Sequence, residues 1–192
     1  MSKLLAALLL VASVSAFAED STYISPTLDF KDKVNSPANH EVAGLSVGHN
    51  FGTWTVEGRM EDERVSGNSG SHEGLAQVKV DKDIGTWYGI TPYAGVAVGE
   101  KSKSSSNFAY YVVEVGAKYA VTPSITLIAQ SRERTPFNEG FDLHQGYGYH
   151  TVENKIGVKY AINKNNVVGL NYAVERGDSS YDTTSVTYAY KF

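Results

Sequence analysis

Apolar residues alternate with small or polar ones along most of this chain, with a period of two. The last nine residues show it cleanly. Thr184, Val186, Tyr188, Tyr190 and Phe192 fall on one side of an extended strand, and Ser185, Thr187, Ala189 and Lys191 on the other. Nine earlier segments repeat the pattern: 23–30, 42–51, 54–63, 74–81, 87–99, 108–121, 125–134, 147–162 and 167–176. One face of each is apolar, as in Ile24, Pro26, Leu28 and Phe30, or Val113, Val115 and Ala117. The connections alternate between long polar loops (31–39, 64–72, 100–107, 135–146, 177–183) and short turns (52–53, 82–86, 122–124, 163–166).

Two hairpins can be registered from sequence. Gly52-Thr53 suits a type II′ turn, with Phe51 paired to Trp54. Gly48 then faces Glu57, Ser46 faces Arg59 and Gly44 faces Glu61, so small residues meet large charged ones on one face. A narrow interior is filled in this way. Across Thr122-Pro-Ser124, pairing Val121 with Ile125 puts Glu114 opposite Arg132 and Gly116 opposite Gln130. The expectation is a Glu114–Arg132 ion pair on the polar face.

The aromatic residues add a second pattern. Phe51, Trp54, Tyr88, Tyr119, Tyr160, Tyr190 and Phe192 lie on the apolar face beside the short turns, as a membrane-interface girdle would. Tyr188, Tyr190 and the terminal Phe192 resemble the C-terminal strand signature of bacterial outer-membrane β-barrels. That resemblance implies recognition by the barrel-assembly machinery through Phe192. The fold expected is all-β: a closed antiparallel transmembrane up-and-down barrel of about ten strands, with eight or twelve as alternatives. A secreted β-sandwich or lipocalin-like barrel would instead bury the apolar face, and the terminal aromatic face weighs against it. His49, Ser131 and Asn154 fit the lipid face poorly, and a bulge at each would turn them away.

The N-terminus changes where the protein is expected to work. Lys3, the short apolar run Leu4 to Val11 and Ala16-Phe-Ala18 read as a signal peptide, residues 1–18, cleaved after Ala18. The run is far short of the ~20 apolar residues of a spanning helix. Residues 19–192 are the barrel, expected as a monomer in the lipid of a Gram-negative outer membrane. The chain has no cysteine, so neither a disulfide framework nor a thiolate site is possible. Its 17 basic and 21 acidic residues give −4, and loss of Lys3 with the leader makes this −5. A nucleic-acid partner is therefore not expected.

The polar face carries the candidate chemistry. Glu57, Arg59, Glu61, Lys79, Glu114, Lys118, Gln130, Arg132, Arg134, Glu153, Lys155, Lys159 and Glu175, with Lys191, point inward and are mixed in sign. A ten-stranded barrel has a backbone radius of about 10 Å, so they either plug the interior with ion pairs or line a narrow pore. No metal-ligand spacing, catalytic constellation or cofactor motif accompanies them, so no enzyme, metal or cofactor is expected. Glu139, Asp142 and His144 share the longest loop but follow no catalytic spacing. The function expected is a narrow porin-like channel for passive diffusion of small solutes. The alternative is a structural or adhesin-like barrel acting through its loops.

Overall fold

The computed structural model describes residues 21–34, 39–65, 72–103, 106–137 and 150–192. The leader and its cleavage site lie outside these residues, as do Glu139, Asp142 and His144. Ten strands run in chain order: β1 (Thr22–Lys33), β2 (Asn39–Phe51), β3 (Trp54–Val65), β4 (His72–Asp83), β5 (Ile90–Lys103), β6 (Ser106–Ala120), β7 (Ile125–Pro136), β8 (Thr151–Ala161), β9 (Asn166–Gly177) and β10 (Tyr181–Lys191). Each pairs antiparallel with its neighbours in sequence, and β1 closes on β10. The result is a closed up-and-down barrel, which leaves no sheet edge unpaired.

The two registers read from sequence are those observed. Phe51 pairs with Trp54, Gly48 with Glu57, Ser46 with Arg59 and Gly44 with Glu61. Gly52 has φ 59°, while Thr53 is not among the residues of positive φ, as a type II′ turn requires. In the second hairpin Glu114 pairs with Arg132 and Gly116 with Gln130, and the Val121 amide donates to the Ile125 carbonyl at 2.9 Å.

The apolar face is the outside. Val96, Val115 and Ile156 are each more than half exposed, at 58%, 56% and 63%. Charge returns abruptly above this band. On β5 the outward apolar residues run from Ile90 to Val98 and stop at Glu100. The rise from Ile90 to Val98 is about 20 Å at ~3.3 Å per residue and ~40° tilt, close to the height of the apolar band on outer-membrane barrels. No helix among the described residues is long and apolar enough to cross a membrane, which says nothing against crossing with strands.

Two expectations need correction. The fifth strand starts at Ile90 rather than at residue 87. Trp87 and Tyr88 belong to the β4–β5 turn, closed by a Trp87–Ile90 bridge, and Tyr88 is fully exposed with φ 52°. Gly85 and Gly89, both at positive φ, allow this wide turn. The bulges expected at His49, Ser131 and Asn154 are absent, because register is constant along their ladders. Ser131 and Asn154 pair with each other on the outer face. His49 is buried there instead, accepting from or donating to Thr22 Oγ1 at 2.9 Å and stacking on Phe51.

Candidate functional site in the barrel lumen

Side chains of inward parity fill the wall by reaching sideways. Tyr23 donates to Glu57 at 2.6 Å, passing over Gly48 of the strand between them. Arg59 reaches Asp29 at 3.2 Å and Glu61 at 2.6 Å. Lys79 contacts Asp81 at 2.8 Å and Glu114 at 3.3 Å, and Lys118 holds Asp83 at 2.7 Å. Arg132 holds Glu153 at 2.8 Å, and Arg134 contacts Glu175 at 3.4 Å. Among the described residues, none of these lumen contacts spans more than two strands along the barrel wall. Among the described residues opposite walls are not bridged.

The small residues explain how such long side chains lie flat. Tyr23 pairs directly with Gly48, Tyr93 with Gly116 and Tyr110 with Gly99. A Cβ built on each of these glycines would fall within 2.7 Å of the facing tyrosine. The rings therefore occupy the volume that a side chain would take, and they hug the wall. Tyr110, wholly buried, donates to Gln77 at 3.2 Å over Gly99. With Ala97, Phe108 and Val112 it forms a small apolar patch inside the barrel, against which Leu75 packs.

The Glu114–Arg132 ion pair does not form, although the two residues are opposite as expected. Arg132 is also directly opposite Glu153 and takes that partner. Glu114 is 3% exposed and turns the other way, over Gly95, where its Cγ lies 3.0 Å from the site of a Cβ. There it accepts from Lys79 and, at 2.8 Å, from Gln130. The side-chain-free space over Gly95, which Glu114 shares with Asp81, separates two carboxylates that both lie directly opposite Arg132.

Several lumen residues were not singled out in the sequence. Glu63 is 4% exposed and sits at the long-loop end, where Lys31 and Lys101 both approach its Oε2 at 3.3 Å and His40 Nδ1 lies 2.6 Å from its Oε1. Lys101 also contacts Glu73 at 2.7 Å, and Tyr181 packs edge-on against His40. Asp29, Asp81, Tyr93 and Tyr110 complete the inner surface. Glu63 closes the third segment with inward parity without being singled out, whereas Glu73 and Lys101 lie just past their apolar patterns, where polar stretches beside loops read as loop. Extending strand parity by one or two residues past each pattern would have found them.

A cavity of about 870 Å3, open solvent included, runs between these walls. Lys31, Arg59, Lys101, Arg132, Arg134 and Lys155 supply its positive charge, and Asp29, Glu61, Glu63, Glu153 and Glu175 its negative charge. Lys79, Glu57, Glu114, Lys118, Gln130 and Lys159 have inward parity but do not line this cavity. No group of three or more His, Asp or Glu among the described residues could hold a metal ion.

The fold is that of the small outer-membrane β-barrels. An outer membrane channel from Pseudomonas putida F1 superposes with a TM-score of 0.60 at 9% identity, covering 92% of this chain and 96% of its own. The NanC porin does so at 0.52 and 11%, covering 88% and 100%. Neisserial surface protein A is 16% identical over 90% and 97%, with a TM-score of 0.45. No family model and no curated protein matches the sequence.

Proposed function

We propose that this protein is a monomeric outer-membrane channel for passive diffusion of small solutes. The observation that carries the reading is the sideways pairing of the lumen charges. Ion pairs and hydrogen bonds run along the wall and leave a charge-lined cavity between them, where cross-lumen pairing would make a plug. Of the residues of inward parity, Arg59, Glu61, Arg132, Arg134, Glu153, Lys155 and Glu175 line this cavity, and in this reading Glu57, Lys79, Glu114, Lys118, Gln130 and Lys159 continue the solute path beyond it.

Residence in the outer membrane is supported by the exposed apolar band and by the aromatic residues at its short-turn margin. Trp54, Tyr119, Tyr160, Tyr190 and Phe192 are outward and exposed, with Phe51 beside His49. They serve as interface anchors. Tyr88, at the tip of its turn, reaches beyond them. Cleavage after Ala18 and assembly through Phe192 belong to the same reading. The fold of the NanC porin and of the Pseudomonas putida channel is compatible with it.

Planar-bilayer recording of the refolded barrel tests the proposal. Discrete steps of conductance, absent from protein-free bilayers, are expected. A correctly folded barrel that passes no current would refute the channel reading and favour a structural or adhesin-like role for the loops.

A further inference from the structure

Most cations of the cavity have a carboxylate, and Lys155 does not. Lys31 and Lys101 share Glu63, Arg59 holds Asp29 and Glu61, Arg132 holds Glu153 and Arg134 contacts Glu175. Across its two ladders Lys155 is flanked by Gln130 and Ala173, neither of which can neutralise it. Gln130 gives its amide to Glu114. Glu153, two residues away on the same face, is engaged by Arg132. Among the described residues no hydrogen bond or ion pair reaches the Lys155 ammonium.

An uncompensated ammonium in a narrow lumen is costly to desolvate. An ionisable side chain held at membrane depth without a structural partner marks a ligand or solute path. A second spare donor lies in the same cavity, since Arg134 Nε is buried and donates to nothing. The fully buried carboxylate oxygen of the cavity that lacks a hydrogen-bond partner, Asp29 Oδ1, is on β1, three strands from β8 around the barrel. The cavity therefore offers the Lys155 ammonium and, about 13 Å along the same wall, Arg134 Nε as spare donors, and its cations outnumber its carboxylates.

We propose that Lys155 Nζ anchors a lumen site for a small organic anion bearing a carboxylate or phosphate group. The proposal rests on the lumen being a solute path. It specifies which solutes pause there: anions exchange their hydration for the ammonium, and cations meet net repulsion at that point.

Lys155→Gln removes the charge without stranding a carboxylate, so the barrel is expected to remain folded and heat-modifiable. The full refolded chain in detergent micelles is titrated calorimetrically with disodium succinate and, separately, with inorganic phosphate, against sodium chloride of equal ionic strength. Wild type and Lys155→Arg are expected to bind at least one of the two anions. Lys155→Gln is expected to bind about tenfold more weakly, the effect of losing one charge-assisted hydrogen bond. Succinate is then added to open channels in planar bilayers, where it is expected to interrupt wild-type current and to interrupt Lys155→Gln current less.

Absence of anion binding by wild type, or equal binding by Lys155→Gln, overturns the site even if the barrel conducts. Binding in micelles without any current leaves the site standing and overturns the channel reading instead. If Lys155→Gln does not fold, loss of binding in Lys155→Met with retention in Lys155→Arg supports the site. Failure of Lys155→Met to fold as well would show that the ammonium is structural, and would overturn the proposal.

Discussion

Arg132 has two carboxylates directly opposite it and grips one, which makes its energetics a sharp test of the lumen geometry. The perturbations are Arg132→Gln, Glu153→Gln and Glu114→Gln, with the double mutants Arg132→Gln/Glu153→Gln and Arg132→Gln/Glu114→Gln. The Arg132–Glu153 contact is 2.8 Å, between side chains 25% and 12% exposed. Two unit charges at ~4 Å and an effective dielectric of ~20 attract by about 4 kcal/mol. Desolvation consumes much of this, so the expected coupling is about 1–2 kcal/mol. The Arg132–Glu114 coupling should stay below about 0.5 kcal/mol, because Glu114 is committed to Lys79 and Gln130. The single changes should be of similar size. Glu153→Gln lets Arg132 turn to Glu114 across the ladder, Arg132→Gln releases Glu153 toward Lys155, and each costs about 1 kcal/mol. The assay is reversible urea unfolding in lipid vesicles, followed by the fluorescence of the two tryptophans, Trp54 and Trp87. Equal coupling to both carboxylates, or additivity for Arg132 with Glu153, would refute the assigned partners.

The glycines facing inward tyrosines offer a graded comparison in the same unfolding assay. A Cβ at Gly116 would meet the Ala129 carbonyl oxygen at 2.6 Å as well as the Tyr93 ring, whereas the three atoms nearest a Cβ at Gly48 all belong to the Tyr23 side chain. Gly116→Ala should cost about 2–3 kcal/mol and Gly48→Ala less, since Tyr23 can swing inward; the reverse order would contradict this packing. Tyr88 holds a left-handed conformation with its side chain in solvent, so Tyr88→Gly should leave the urea midpoint unchanged or raise stability by about 0.5–1 kcal/mol. A clear loss would show that the ring anchors the barrel. Deleting Phe192 removes an exposed aromatic that packs edge-on against Tyr190, together with the proposed assembly signal, and should sharply lower the amount of heat-modifiable protein in the outer membrane. Normal amounts would count against the role given to the C-terminal strand.

Much of the fold was legible because a barrel wall obeys one rule, alternation, and the rule recurs in every strand. Two tight turns were enough to set their hairpins in register: Gly52-Thr53, where glycine supplies the positive φ, and Thr122-Pro-Ser124. The turn at residues 84–89 defeated the same reasoning. Trp87, Tyr88 and Ile90 continue an apolar pattern without interruption, so nothing local separates an exposed aromatic turn from the start of a strand. The inward tyrosines were hidden for a related reason. Tyrosine was counted toward the outer girdle, and only strand parity places Tyr23, Tyr93 and Tyr110 inside. The usable signal is a glycine directly opposite: Gly48, Gly116 and Gly99 each leave a slot that a ring lying on the wall can fill.

The choice of partners in the lumen was not legible, and the reason is geometric. Every inward residue has two direct neighbours across its ladders and further ones along the wall. One row around the barrel reads Asp81, Gly95, Glu114, Arg132, Glu153, Glu175. Charge alone leaves Arg132 equally suited to Glu114 and Glu153. What separates them is the volume over Gly95, which admits Glu114 and lets it reach Lys79 from two strands away. Once Glu114 has turned, Arg132 has a single free carboxylate beside it, and Glu153 is taken. Lys155, next along the face from Glu153, is left with Gln130 and Ala173. The unpaired ammonium thus follows from a missing side chain at Gly95 three strands away. Filling that space with Gly95→Ala, where a Cβ would fall 2.0 Å from Asp81 Oδ1, should push Glu114 back toward Arg132. Glu153 would then be released toward Lys155, and succinate binding would weaken without any change at Lys155 itself. Unaltered binding in a folded Gly95→Ala barrel would break that chain of cause.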